Sequence, residues 1–165
     1  AVPRIRDATA ADLPAVRRLY NALIPTTTVA WRDDLATVEE LASWFADRRG
    51  AGDPVLVAEA GGEVVGYTCW GRFRHFPGYR HTVEHTIHVD GAHHGTGVGR
   101  ALLEALLALA AQRGVHVVVG AVDADNEASI AFHRRLGFVE VARMPEVGRK
   151  FDRWLDLVLL QRIVG

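Results

Sequence analysis

One stretch constrains this chain more than any other: Val83 to Leu107, VEHTIHVDGAHHGTGVGRALLEALL. Val83, Ile87 and Val89 are β-formers in a short run that ends at Asp90-Gly91. Gly95, Gly97 and Gly99 follow, one residue apart, and then Leu102, Leu103, Leu106, Leu107 and Leu109 recur at helical spacing. The sequence therefore predicts a strand, a glycine-rich turn and a helix that begins at the glycines. A helix N-terminus carries N–H groups without intrahelical partners and the positive end of the helix dipole. Glycines let such a backbone approach a phosphate closely, so the turn is a candidate anion cradle.

Several ligands suit such a cradle. A mononucleotide P-loop needs Lys-Ser/Thr after its last glycine. Here Arg100-Ala101 follows Gly99, which removes that reading. A dinucleotide fingerprint has G-x-G-x-x-G and an acidic residue about 20 residues further on. The spacing here is G-x-G-x-G, and Asp123, after the next apolar run, stands near the required distance. A coenzyme A pyrophosphate loop is a further reading, and a turn that needs glycine only for its backbone is another. On the glycines alone these last three stay open.

The rest of the chain sets the context. Its 165 residues suit one domain, 1–165, with a substantial core. The net charge of −1 gives no electrostatic support to a nucleic-acid or anionic-membrane partner. No apolar run is long enough to span a bilayer, and the opening AVPRIRDATAAD has no apolar leader. The one cysteine, Cys69, rules out an internal disulfide and fits a reducing, cytoplasmic setting. The histidines lack metal-site spacing. His81 and His85, four apart on a strand, stand roughly 13 Å from each other, and no HExxH or cysteine-rich motif exists. No metal is expected.

Taken in order, Arg4–Ala8 reads as an edge strand. Thr9 with Asp12 reads as a capping box before a helix with Leu13, Val16, Leu19, Tyr20 and Leu23 on its apolar face, ended near Asn21 and Pro25. Thr26–Trp31 is β-rich but short, a loop wall rather than a strand. Thr37 caps a second helix, stopped by Gly50–Pro54. Val55–Glu59 and Val64–Trp70 flank Gly61-Gly62 as a hairpin. Arg72–Arg80 is irregular. After the glycine turn and its helix, Val115–Val122 reads as a buried strand, and Asn126–Leu136 as a helix closed by Gly137. Phe138–Ala142 and Leu155–Arg162 are the last strands. The order β, α, α, β, β, β, α, β, α, β, β predicts an α/β fold with a mixed sheet, parallel pairing at the centre, antiparallel edges and helices on both faces.

That order resembles the Gcn5-related N-acetyltransferases (GNAT), and shorter motifs are similar to their phosphinothricin and methionine sulfoximine acetyltransferase branch. Ile5-Arg6-Asp7-Ala8-Thr9 with Asp12, the segment Asn21–Arg32 with Thr28-Val29 and Trp31, Tyr79 with Thr82, Glu84 and Thr86-Ile87-His88-Val89, Asn126-x-x-Ser129, Leu136-Gly137-Phe138, and Gly148-x-Lys150-x-x-x-Trp154-x-Asp156 carry the resemblance in order. His94-Gly95-Thr96-Gly97-Val98-Gly99 fits the glycine positions of the family's Gln/Arg-x-x-Gly-x-Gly/Ala loop, with His94 in the first place.

The resemblance implies an acyl-CoA N-acyltransferase fold with a mostly antiparallel sheet and a splayed central strand pair. It implies acetyl-CoA as co-substrate and the primary amine of a small amino-acid-like molecule as acceptor. Ile87, His88 and Val89 would pair with the pantetheine arm, and His94, Gly95, Thr96, Gly97, Val98, Gly99 and Arg100 would hold the pyrophosphate. Asn126 and Ser129 would serve the cofactor from the last helix, although Asn126 is also a good helix cap whatever the ligand. Glu84 would be the general base that takes the amine proton; without the resemblance it reads first as a strand carboxylate facing solvent or pairing with an arginine. Many relatives have a tyrosine six residues after the asparagine. Here that position is Phe132, and the neighbouring His133 is a general acid, a hydrogen-bond partner or a plain helix histidine. Trp31, Arg72, Arg74 and Tyr79 lie where the branch binds its acceptor, arginine being a natural partner for a carboxylate. Phe76 departs from an arginine common there. The branch also implies a homodimer, with Tyr79 and Trp154 as candidate contacts.

Overall fold

The computed structural model describes residues 2–165. In chain order the elements are β1 (Arg4–Asp7), α1 (Leu13–Leu23), α2 (Val38–Gly50), β2 (Val55–Ala60), β3 (Glu63–Arg72), β4 (Thr82–Val89), α3 (Val98–Gln112), β5 (Val117–Asp123), α4 (Glu127–Arg135), β6 (Val139–Lys150) and β7 (Arg153–Ile163). Short 3-10 turns stand before α1, β4 and α3. This is the element order that periodicity and glycine punctuation predict. The strands form one seven-stranded sheet in the order β1-β2-β3-β4-β5-β7-β6. The β1–β2, β2–β3, β5–β7 and β6–β7 pairs are antiparallel, while β4 and β5 are parallel.

Two compact units make up the chain. The first comprises the N-terminal segment to Ala22, Leu35–Gly71 and His85–Leu109. Its core gathers Val16 and Leu19 of α1, Leu41 and Phe45 of α2, Val55 and Val57 of β2, and Tyr67 and Cys69 of β3. Cys69 is thus a core residue, and burial pushes its thiol up to about 11, which leaves it unreactive. Leu102, Leu103 and Leu106 of α3 are fully buried. A Cβ at Gly66 would stand 3.0 Å from Leu102 Cδ1, so β3 lacks a side chain where α3 packs on it. Truncating one of these leucines to alanine costs about 2–5 kcal/mol.

The capping box forms as expected: the Thr9 N–H donates to Asp12 Oδ2 at 2.8 Å. Arg6 reaches the same carboxylate through two nitrogens, at 2.7 and 2.9 Å, and bonds Glu59 at 3.0 Å. Thr37 caps α2 by accepting the Glu40 N–H at 3.0 Å. Gly61 and Gly62, with φ of 60° and 82°, make the β2–β3 turn.

The second unit comprises Leu23–Asp34, Arg72–Glu84 and Ala110–Gly165. Val118 and Val122 of β5 and Leu155, Val158 and Leu160 of β7 are buried in it. Here the sequence underestimates one element. β6 runs to Lys150, well past Ala142, with register shifts at Glu140/Ala142 and Met144/Gly148. Lys150 pairs Arg153 across a two-residue turn in which Phe151 and Asp152 adopt φ of 53° and 58°. The left-handed turn conformation is built without glycine, and the bulges destroy the period-two pattern, so neither leaves its usual mark in the sequence.

Candidate active site

β4 carries four of the predicted site residues, Glu84, Ile87, His88 and Val89. Its ladder with β5 pairs Thr82 with Val117, Val83 with Val118 and Glu84 with Val119, and ends there. The strand itself continues through Ile87 and His88 to Val89. Beyond Glu84 the β4 backbone takes no further part in this ladder. Burial along β4 alternates as far as His85 and resumes three residues later at His88, so the period of two slips by one residue at Thr86-Ile87. At the slip, the buried Thr68 hydroxyl of β3 donates to the Thr86 carbonyl at 2.8 Å.

Glu84 points to an exposed face of the strand, yet desolvation lifts its carboxyl above the ordinary carboxylate range. Such a shift moves a carboxylate toward the basicity that proton abstraction near neutral pH requires. His88, in contrast, is buried against the rings of Tyr20 and Tyr67, with centroids 5.8 and 5.3 Å away, and burial drives its pKa down to about 4. It is a neutral ring in the core, so only its backbone can meet a ligand.

The glycine turn follows. The Asp90 carboxylate accepts the Ala92 N–H at 3.1 Å, and His94 Nε2 donates to the Val89 carbonyl at 3.0 Å. Gly95 and Gly97 have φ of 74° and 91°, the left-handed region that β-carbons oppose. Space is open at both: a Cβ on either would meet nothing within 4 Å. The first bond of α3 runs from the Ala101 N–H to the Gly97 carbonyl, at 3.0 Å. The N–H groups of Val98, Gly99 and Arg100 therefore precede the helical ladder. Val98 is buried and anchors the turn, while Thr96 and Arg100 are exposed, the latter paired with Glu104 at 2.8 Å. An open, positively polarised backbone surface of this kind fits a diphosphate.

On α4, Asn126 is the N-cap and its oxygen accepts the Ser129 N–H at 3.2 Å. His133 is buried between the rings of Phe132 and Phe138. Its Nδ1 lies 2.7 Å from the Ser129 carbonyl, so Nδ1 carries the proton, and desolvation lowers the ring's pKa. Asp123, the candidate ribose partner of a dinucleotide, is buried and fully engaged. Oδ1 accepts the Asp125 N–H at 3.0 Å and Oδ2 accepts the Thr28 hydroxyl.

The acceptor-side residues lie in the second unit. Trp31 Nε1 donates to the Thr28 carbonyl at 2.8 Å, and its ring covers Gly148, where a Cβ would stand 2.2 Å from Cε3. The Arg74 guanidinium lies over the Phe73 ring, 5.4 Å from its centroid, and the Tyr79 ring is 6.0 Å from Phe73. Arg72 ends β3, exposed. Sequence reasoning assigned no role to Lys150, Thr28 or Gly148, although all three lie in the stretches that carry the family resemblance. Among the described residues, no group of three or more His, Cys, Asp or Glu is placed to hold a metal ion, and no helix is long and apolar enough to cross a membrane.

Comparison with known proteins shows the family of the chain. Residues 16–138 match the Acetyltransferase (GNAT) family. The L-methionine sulfoximine/L-methionine sulfone acetyltransferase of Pseudomonas aeruginosa is 46% identical over 158 residues, 95% of this chain and 92% of that protein. An L-amino acid N-acyltransferase of Escherichia coli is 45% identical over 157 residues, 95% of this chain and 91% of that protein. The crystal structure of a phosphinothricin acetyltransferase from Sinorhizobium meliloti, in complex with acetyl-CoA, superposes with a TM-score of 0.96 at 32% identity, covering 100% of this chain and 90% of that one.

Proposed function

The chain belongs to the GNAT acetyltransferase family, and from that premise we propose that it acetylates the primary amine of a small amino-acid-like molecule of the methionine sulfoximine, methionine sulfone or phosphinothricin type. The observation that carries this reading is the similarity, along 95% and 92% of the chain, to acetyltransferases named for those acceptors. The dinucleotide alternative loses its second anchor, because Asp123 is already engaged inside the protein.

Acetyl-CoA supplies the acetyl group as a thioester, activated toward an amine. The N–H groups of Val98, Gly99 and Arg100 and the open backbone at Gly95 and Gly97 would hold its pyrophosphate, flanked by His94 and Thr96. The backbone of Ile87, His88 and Val89, past the end of the β5 ladder, would hold the pantetheine arm. Asn126 spends its oxygen on the helix cap, so its amide nitrogen is the end that would donate to that arm. Ser129 supports the same helix turn. Glu84 would take the proton from the acceptor ammonium, leaving a neutral amine as nucleophile. His133 fits a hydrogen-bonding and packing role better than that of an acid, because burial disfavours its charged form and its Nδ1 proton goes to the backbone. Trp31, Arg72, Arg74 and Tyr79 would contact the acceptor, the arginines through its carboxylate.

The same reading includes a cytoplasmic homodimer. β6 is an edge strand, and Val139, Val141, Met144 and Val147 on it, with Phe151, Trp154 and Ile163 beside it, are exposed. Such an apolar edge is normally covered. Light scattering at micromolar concentration is expected to give twice the chain mass, and a monomer mass contradicts the dimer.

The function is tested by thiol release from acetyl-CoA with L-methionine sulfoximine, L-methionine sulfone, phosphinothricin, ordinary L-amino acids and a peptide bearing an N-terminal alanine. Turnover with the amino-acid analogues is expected. Turnover with the peptide alone, or with none of the amines, refutes the acceptor class.

A further inference from the structure

Lys150 is an unusual lysine. It stands on the last paired rung of the β6–β7 hairpin, and only 3% of it is exposed. An ammonium has three donors, and here each goes to a backbone carbonyl: Ile24 at 2.8 Å, Thr27 at 2.7 Å and Ala30 at 2.6 Å. The Phe151 ring lies 4.9 Å from the same nitrogen. Burying a charge is costly unless its hydrogen bonds are satisfied. A neutral apolar side chain would fill the space without that cost, but it would leave three carbonyls unbonded.

All three carbonyls belong to one segment, Leu23–Asp34, which has no regular secondary structure beyond the end of α1. Other contacts hold the same segment. The Thr28 hydroxyl donates to Asp123, and the Thr27 hydroxyl to the Leu23 carbonyl. The Trp31 indole donates to the Thr28 carbonyl and lies against Gly148, two residues before Lys150. One end of the β6–β7 hairpin thus supplies both the ammonium that gathers the backbone of the segment and the bare surface on which its tryptophan rests.

We infer that Lys150 is a positioning residue for the acceptor: its ammonium fixes the 24–31 backbone so that Trp31 is presented in one orientation. This rests on the reading of Trp31 as an acceptor contact. It assigns the lysine no part in proton transfer, since all its donors are spent within the segment.

The test is Lys150→Met, which keeps length and apolar bulk and removes the donors. The KM for the amine is expected to rise about 10- to 100-fold while the KM for acetyl-CoA stays within about twofold, because a displacement of about 1 Å in a positioning element is worth up to that much. Backbone amides of 24–34 are expected to exchange hydrogen faster than in wild type, with α3 unchanged. Gly148→Ala is the second variant should Lys150→Met fail to fold. Gly148 is not in the left-handed region, so alanine strains no backbone there, but the Trp31 ring must move. It should show the same split between the two KM values. The positioning role is overturned if the folded variants leave the amine KM at its wild-type value, or raise both KM values alike. Unchanged exchange in 24–34 of Lys150→Met overturns the clamp itself. A wild-type protein that acetylates no amine defeats the acceptor reading and the positioning role with it, and the exchange measurement, which needs no turnover, still decides whether Lys150 holds the segment.

Discussion

Glu84 and Val119 form the last rung of the ladder between β4 and β5. Beyond it β4 runs on to Val89 without that partner strand, and the chain then enters the glycine turn. The proposed base, the strand backbone offered to pantetheine and the phosphate cradle are therefore consecutive on one short stretch of chain. A change in register anywhere along β4 would move all of them together.

The cradle makes the first prediction. Gly97 sits at φ 91° with open space around its missing Cβ. Gly97→Val meets no internal atom, and its backbone cost is about 1–2 kcal/mol for a left-handed residue, so the fold should survive. The added side chain stands where backbone must meet phosphate. The KM for acetyl-CoA should rise strongly with the melting temperature only modestly lower. Unchanged cofactor affinity in the folded variant would refute the cradle.

Stability should depend on His88 in acid. Its folded pKa, about 4, lies below the unfolded value of about 6.5. The unfolded chain therefore binds the extra proton first, and stability is lost as pH falls from about 6.5 toward about 4. The loss from this group approaches about 3 kcal/mol at the low end of that window. His88→Phe keeps a ring against Tyr20 and Tyr67 and removes the titration. Denaturant melts at stepped pH should show a shallower acid limb for the variant. Some slope should persist, because His133 is shifted in the same direction. Superimposable limbs would remove His88 from the account.

Much of this was legible in the sequence because local rules and tertiary structure agree. Thr9 with Asp12, Thr37, Gly61-Gly62, Asn126 and Gly137 each occupy the cap or turn that their chemistry favours. Leu102, Leu103, Leu106 and Leu107 of α3 are buried where their spacing put them, while Leu109 is only half-buried. The outer half of β6 was not legible, since Pro145, Glu146 at φ 57° and Gly148 interrupt the alternation. Nor was the part played by Lys150. Its partners are main-chain carbonyls 120 to 126 residues away, and a carbonyl has the same signature under every side chain. Glu84 was legible by resemblance alone; its raised carboxyl needed the fold.

Proton removal by Glu84 is the central claim, and Glu84→Gln tests it most directly. The variant keeps size and hydrogen-bonding capacity but accepts no proton from the ammonium. With one amine throughout, kcat should fall about 10²- to 10⁴-fold, while acetyl-CoA binding measured by calorimetry stays nearly constant. Desolvation raises the Glu84 carboxyl, so wild-type kcat/KM should climb on an acidic limb as the glutamate and the amine lose their protons, and the variant should keep only the limb of the amine. A Glu84→Gln enzyme that turns over at close to the wild-type rate, with the same acidic limb, would contradict the account.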